Sequence, residues 1–110
     1  MSVVFDTNRS RRLLQLFEEL KSQLVLLDEW QQSPPSAERL ASSQPFAVDT
    51  LSASEWLQWV FLPKMTQLIH SQQMLPSGFE ITPYFEQVWQ TQTQFRELLV
   101  ILSHIDKECA

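Results

Sequence analysis

The 110-residue chain contains a single glycine, Gly78, and this scarcity limits the folds and sites it can form. Tight β-hairpins and phosphate-binding loops both need residues that adopt positive φ angles, and glycine does so most readily. Neither a Walker loop nor a dinucleotide-binding fingerprint can be written around one isolated glycine. The composition therefore favours helices and argues against the common nucleotide-binding motifs.

Cysteine is equally scarce, because Cys109 is the only one in the chain. No internal disulfide bond is possible, which fits a reducing compartment; an intermolecular disulfide is the alternative. His104 and Glu108 have the i, i+4 spacing of a ligand pair, but a protein zinc site needs three or four ligands and the chain has only two histidines. We therefore expect no metal and no cofactor.

Basic residues are also few, with eight Lys and Arg against thirteen Asp and Glu and a formal net charge of −5. Nucleic acids and anionic membranes are bound through clustered cations, so we expect no extensive contact with either. Arg9, Arg11 and Arg12 could touch phosphate, but a solvated helix face is the favoured interpretation. No apolar run approaches the roughly 20 residues that span a bilayer, and residues 1–12 carry no secretory signal. We expect a cytoplasmic protein.

The apolar pattern predicts one all-α domain over residues 1–110, an irregular four-helix bundle. In the first predicted helix, residues 8–31, apolar residues recur every three or four positions, which is typical of a core-facing helix: Leu13, Phe17, Leu20, Leu24 and Leu27. A partner-binding coiled coil is the alternative. Residues 32–51 form a long connection rich in Pro and Ser, with room for one helical turn at 36–40. We expect Phe46 and Val48 to anchor its end to the core.

The second predicted helix, residues 52–72, has the clearest start in the chain. Ser52 as N-cap and Glu55 three residues later match a capping box. The residues that follow are apolar nearly all round, so this helix should be the most buried. Pro63 lies inside it and predicts a kink, because proline has no N–H and crowds the carbonyl of the preceding turn. Two separate helices are the alternative.

Two further helices complete the prediction. Thr82 should cap a short third helix over residues 82–90, with Pro83 at its first position, where a missing N–H does no harm. A fourth helix is expected over residues 92–109, and Thr91 with Gln94 has the spacing of a capping box. No repeat of 20 to 50 residues is visible, which excludes a solenoid.

Four motifs between Pro45 and Glu86 are distinctive: PF-x-x-DT from Pro45, EWLQWVFLPKM from Glu55, LP-x-x-F from Leu75 and PYFE from Pro83. Together they resemble the YqcC family, a group of small bacterial proteins of uncharacterised function, and the resemblance spans nearly the whole chain. It implies an all-α helical bundle from proteobacteria, often encoded beside a tRNA pseudouridine synthase. It implies no activity and no catalytic residue.

The four tryptophans suggest a binding surface, because Trp is enriched at the hot spots of protein interfaces. So many large rings are hard to bury in a small domain, and we expect at least one to reach the surface near Pro63. The alternative is that all four belong to the core. The candidate partner-binding residues are Phe46, Asp49, Trp56, Trp59, Pro63 and Lys64.

Side chains that could support acid-base catalysis are explained more simply by helix capping and by a solvated helix face. They are Asp49, Thr50, Glu55, Lys64 and His70. We therefore expect a non-enzymatic interaction or accessory module whose partner is another protein, and the resemblance to the YqcC family implies a link to a tRNA-modifying pseudouridine synthase. The alternative is a binder of apolar or lipid-like small molecules, and weak RNA binding is a more distant one. The apolar stripes are also compatible with a homo-oligomer.

Overall fold

The computed structural model describes residues 7–110, which form five helices and no β-strand. Helix α1 is Thr7–Leu26, α2 is Ala37–Leu40, α4 is Thr82–Val88 and α5 is Arg96–Glu108. Helix α3 runs through three consecutive segments, Ala53–Trp56, Leu57–Phe61 and Leu62–His70.

The all-α prediction is confirmed. We predicted four helices, and the described residues form five. The additional one is α2, a short helix capped by Ser36, where the sequence predicted at most one helical turn. Residues 1–6, the first half of the 1–12 segment in which we expect no secretory signal, lie outside the described range.

The most extensive packing in the bundle is between α1 and α5. They run antiparallel, since Arg12 near the start of α1 pairs with Glu108 at the end of α5. Each helix buries a stripe with a spacing of three or four residues, as the sequence predicted. The buried apolar residues are Leu13, Phe17, Leu20 and Leu24 on α1, and Leu98, Ile101, Leu102 and Ile105 on α5.

Helix α1 ends at Leu26, five residues before the predicted end at residue 31. Asp28 adopts a left-handed backbone conformation with φ of 60°, and two hydrogen bonds close the helix around it. The N–H of Asp28 donates to the Val25 carbonyl, and the N–H of Glu29 donates to the Leu24 carbonyl. This is the Schellman arrangement, usually built on glycine but tolerated by Asp. The predicted helix is too long because no glycine or proline in the sequence marks the end of α1.

Helix α3 accommodates Pro63 through a π-helical stretch, Leu57–Phe61, in place of the simple kink we predicted. The N–H of Leu62 donates to the carbonyl of Leu57, five residues back. The longer hydrogen-bonded turn places Pro63 at the start of the following α segment, where its missing N–H is not needed. The capping box of Ser52 and Glu55 is confirmed. The helix spans Ala53–His70, slightly shorter than the predicted 52–72.

The second half of the chain departs from the prediction at its helix ends. Helix α4 ends at Val88 and not at residue 90, and its N-cap is Ile81, not Thr82. A single 3₁₀ turn, Thr93–Phe95, precedes α5, which begins at Arg96 and not at residue 92. The N-cap of the 3₁₀ turn is Gln92 and the N-cap of α5 is Phe95, and neither makes a capping bond through its side chain. Thr91 is the N-cap of neither element, so the capping box predicted from Thr91 and Gln94 does not form.

The start of α4 is held by a side chain from α5. The Asp106 carboxylate accepts hydrogen bonds from the N–H of Ile81 at 3.0 and 3.1 Å and from the N–H of Thr82 at 2.9 Å. A negative charge at the positive end of a helix is favourable, and these donors would otherwise lack partners. Asp106 therefore serves as an N-cap supplied from a distant part of the sequence.

Two further expectations concern exposure. Val48 does not anchor the connection, since it is 57% exposed, whereas Phe46 packs against the core. Of the tryptophans, Trp89 is buried and the other three, Trp30, Trp56 and Trp59, are half-buried. No helix within the described range is long and apolar enough to cross a membrane.

Candidate partner-binding groove

A network of four hydrogen bonds around Gln31 joins the segment after α1 to the middle of α3. The backbone N–H of Gln31 donates to Gln58 Oε1 at 2.8 Å, and Gln58 Nε2 donates to the Gln31 carbonyl at 2.7 Å. The Gln31 side chain donates through Nε2 to Glu55 Oε2 at 2.9 Å and accepts at Oε1 from Trp59 Nε1 at 2.8 Å. Gln31 therefore holds the Trp59 indole in one orientation.

Glu55 connects this network to the start of α3 and to α2. Its Oε1 accepts from the N–H of Ser52 at 2.8 Å and from Arg39 Nη2 at 2.7 Å. Burial acts to raise the pKa of Glu55, but the hydrogen bonds from Ser52, Gln31 and Arg39, with the Arg39 charge, together lower that pKa below its usual value. Arg39 also donates to the Thr50 carbonyl, so α2 is tied down beside α3.

The network borders an open groove of about 760 Å³ between the end of α1 and α3. Phe17 and Leu62 form its buried floor, and Trp30, Trp59 and Pro63 form apolar walls. The rim is polar, with Gln32, Thr66, Gln67, His70 and Ser71. Half-buried aromatic rings at the centre and polar groups around them are typical of an interface hot spot.

Trp30 reaches the groove because α1 ends early. After the left-handed turn at Asp28 the chain folds back, and the Trp30 ring lies 5.1 Å from the Lys21 ammonium in a cation–π contact. Lys21 and Glu18 both line the α1 side of the groove. Trp30 and Gln31 are absent from the candidate site, because no motif in the sequence links them to Trp59, which follows 28 positions after Gln31.

The structure separates the six candidate residues that the sequence suggested. Trp59 and Pro63 line the groove together. Phe46 and Trp56 belong instead to a second aromatic cluster, in which the Phe46 ring stacks on Tyr84 at 4.1 Å and lies 4.8 Å from Trp56.

The two charged candidates, Asp49 and Lys64, are both exposed, and neither lines the groove. Asp49 accepts a hydrogen bond from Ser42 Oγ at 2.5 Å. Asp49 and Lys64 therefore do not join Trp59 and Pro63 in lining the groove. A role in partner binding stays a prediction for all six.

The chain matches a family profile described as DUF446, tRNA pseudouridine synthase C, over residues 12–108. The chain belongs to this family. A Haemophilus influenzae member named as an uncharacterized protein is 40% identical over 84% of this chain and 88% of its own length. The uncharacterized protein YqcC of Escherichia coli is 37% identical over 92% of this chain and 90% of its own.

The solved structure of a family member supports the same conclusion about fold. The solution NMR structure of Escherichia coli YqcC superposes with a TM-score of 0.83 at 31% identity, covering 93% of this chain and 88% of that one. The resemblance to the YqcC family is therefore confirmed.

A third match differs in kind. Fifty residues of this chain, 46% of its length, are 48% identical to part of the tRNA pseudouridine synthase C of Pectobacterium carotovorum. They cover only 13% of that larger protein.

Proposed function

We propose that this chain is a non-catalytic binding partner of a tRNA pseudouridine synthase. The observation that carries the proposal is the 50-residue match inside the Pectobacterium protein that bears the name of such an enzyme. There, a segment similar to this chain is covalently part of the larger protein. A covalent link raises the effective concentration of two modules for each other, so modules that are joined in one protein are good candidates to bind when they are separate chains.

The groove supports the proposal because its aromatic walls are partly accessible and held in place. Trp59 is fixed by Gln31, and Trp30 is fixed over Lys21. Side chains that are ordered before binding lose less conformational entropy when a partner docks. A groove with two such anchors can contribute affinity from a small contact area.

A protein segment fits this groove better than a lipid-like ligand does. A binder of apolar small molecules encloses most of the ligand surface in a largely apolar cavity. Here the groove is open along its length and polar side chains such as Gln32 and Gln67 border it. Backbone amides of a docked protein segment offer hydrogen-bonding partners to these groups, whereas an acyl chain offers none.

The proposal assigns no chemistry to this chain. Glu55 and Asp106 are the buried carboxylates of the described range, and both accept hydrogen bonds at helix starts. Helix capping explains why both carboxylates are buried and hydrogen-bonded. The proposed contribution is therefore to the assembly, stability or substrate affinity of the synthase.

The test is binding between the purified chain and the synthase of the same host, measured by calorimetry without RNA. We expect a stoichiometric complex that Trp59→Ala weakens by tenfold or more, as is usual for a Trp hot spot. Gln67→Arg should also weaken it, because Gln67 is exposed on the rim and its replacement obstructs the groove without altering the core. Val48→Ala, at an exposed site outside the groove, should bind like the wild type.

Two outcomes would count against this function. The first is no measurable heat or co-elution at protein concentrations of tens of micromolar. The second is recovery of the chain from its host with a stoichiometric small molecule in place of the synthase. If Trp59→Ala lowers the thermal midpoint sharply, Gln67→Arg alone decides whether the groove is the docking site.

A further inference from the structure

A second concave surface lies where α1 begins and α5 ends, away from the Trp30 and Trp59 groove. It is a pocket of about 500 Å³, which we call the basic pocket, and its ionisable lining residues are Arg11, Arg12, His104, Lys107 and Glu108. The two arginines come from the first turns of α1, and the other residues come from the last turns of α5. The antiparallel packing of these helices therefore assembles the pocket from opposite ends of the sequence.

The charges in this pocket are not balanced within the described range. Its one carboxylate, Glu108, accepts a hydrogen bond from Arg12 Nε at 2.6 Å. Arg11 and Lys107 are exposed, and neither forms an ion pair with any residue from 7 to 110. Three of the chain's eight Lys and Arg thus share one pocket in a protein of net charge −5.

The α1 side of this pocket contributes two cations and no carboxylate, whereas Lys107 lies in the last turn of α5, the helix end that favours a cation. A helix start carries partial positive charge, so acidic side chains are favoured there and cations are disfavoured. The first turn of α1 has no acidic residue and already contains Arg9, and Arg11 and Arg12 follow it directly. Arg9 and Arg12 are explained by their contacts with Glu108 at the end of α5. Arg11 has no such structural explanation within the described residues.

We infer that the basic pocket receives a phosphate group of RNA, and this inference rests on the proposed function. A partner that modifies tRNA brings the RNA backbone close to this chain. Arg11 offers a planar fork that matches two phosphate oxygens, and Lys107 offers a compact charge beside it.

The expected contribution is one or two phosphate contacts. The acidic remainder of the surface repels RNA, so the chain alone binds RNA weakly. Within the complex, the synthase holds the RNA at high effective concentration and the contact adds to its affinity.

The test is the affinity of the complex for tRNA at 50 and 200 mM salt. We expect Arg11→Gln to weaken tRNA binding by roughly tenfold at 50 mM salt, with the double variant Arg11→Gln/Lys107→Gln weaker still. The slope of log affinity against log salt should become shallower by about one for each cation removed. Arg96→Gln is the matched control, because it removes the same charge at the other end of α5 and should leave both quantities unchanged.

The outcomes separate this inference from the proposed function. If the complex forms but Arg11→Gln leaves the affinity and the salt slope unchanged, the inference is wrong and the proposed function stands. If Arg11→Gln instead weakens the complex measured without RNA, the pocket binds an acidic surface of the synthase, which also overturns the inference.

If no complex forms, the proposed function fails and the chain alone is titrated with tRNA at low salt. Gln15 also lines the basic pocket. Shifts of the backbone NMR signals of Gln15 and Lys107 that are lost in Arg11→Gln would still support a phosphate site. Unshifted signals would overturn it.

Discussion

The indole N–H of Trp59 donates to the side-chain oxygen of Gln31 at 2.8 Å, across a separation of 28 positions in sequence. The same glutamine donates to Glu55, and its backbone is held by Gln58. One side chain therefore joins the chain reversal after α1 to the buried face of α3. It also orients the aromatic ring that the proposed partner contacts.

Replacing Gln31 with Ala should lower the free energy of unfolding by about 1–3 kcal/mol, because Glu55 and Trp59 each lose a hydrogen-bonding partner in a partly buried place. Urea unfolding measures this loss. Gln32→Ala is the matched control, since Gln32 is the exposed neighbour on the groove rim and should cost less than about 0.5 kcal/mol. Equal effects of the two substitutions would contradict the role of the network.

Removal of the Asp106 carboxylate should destabilise α4 by about 2 kcal/mol, because the N–H groups of Ile81 and Thr82 lose their acceptor. Asp106→Asn keeps one acceptor oxygen and should cost less than Asp106→Ala. Hydrogen exchange of the α4 amides reports the effect locally. Glu86→Ala, an exposed carboxylate on α4 itself, is the comparison, and faster exchange in that variant to the same degree would refute the cap.

Glu55 should make stability depend on pH in the acid range. Its pKa is lower in the folded chain than in the unfolded chain, so its contribution is fully present above the unfolded pKa. That contribution is lost as the pH falls from about 5 toward the folded pKa. The difference in unfolding free energy between wild type and Glu55→Gln should therefore be largest at neutral pH and shrink on acidification. A difference for Glu55→Gln that stays constant across the acid range would refute the assignment.

Pro63→Ala distinguishes the π-helical stretch from an ordinary proline kink. Proline inside a regular α-helix costs about 3 kcal/mol relative to Ala, so its removal from a simple kink would stabilise the chain by that amount. Since Pro63 lies at the start of an α segment after the π stretch, we expect a change below about 1 kcal/mol in urea unfolding. Lys64→Ala, at the next exposed position, gives the baseline for an Ala substitution there.

Much of the fold follows from residues that are neighbours in sequence. The capping box of Ser52 and Glu55 needs only a spacing of three, and the α1 stripe needs only its repeat. The capping box formed as predicted, and the stripe formed from Leu13 to Leu24, whereas Leu27 lies beyond the end of α1 and is half-buried. The end of α1 was predicted wrongly because Asp28 adopts a conformation that glycine usually signals.

The candidate site was less accessible to sequence reasoning. Trp59 and Pro63 line the groove, and both were named from the sequence. Phe46 packs on Tyr84 instead. Its backbone is left-handed, with φ of 57°, and a pattern of apolar residues does not reveal such a conformation. Gln31 could not be identified, since a glutamine after a helix carries no signal of what it binds.

Sequence alone determined the helical class, the family and the start of α3, because each depends on local spacing or on motifs within one segment. Tertiary structure decided how Trp30 and Gln31 meet Trp59, and how Lys107 joins Arg11 at the basic pocket. Those arrangements depend on where the chain reverses and on which helices pack together. Such long-range contacts are selected by the burial of the whole core, so no single segment encodes them.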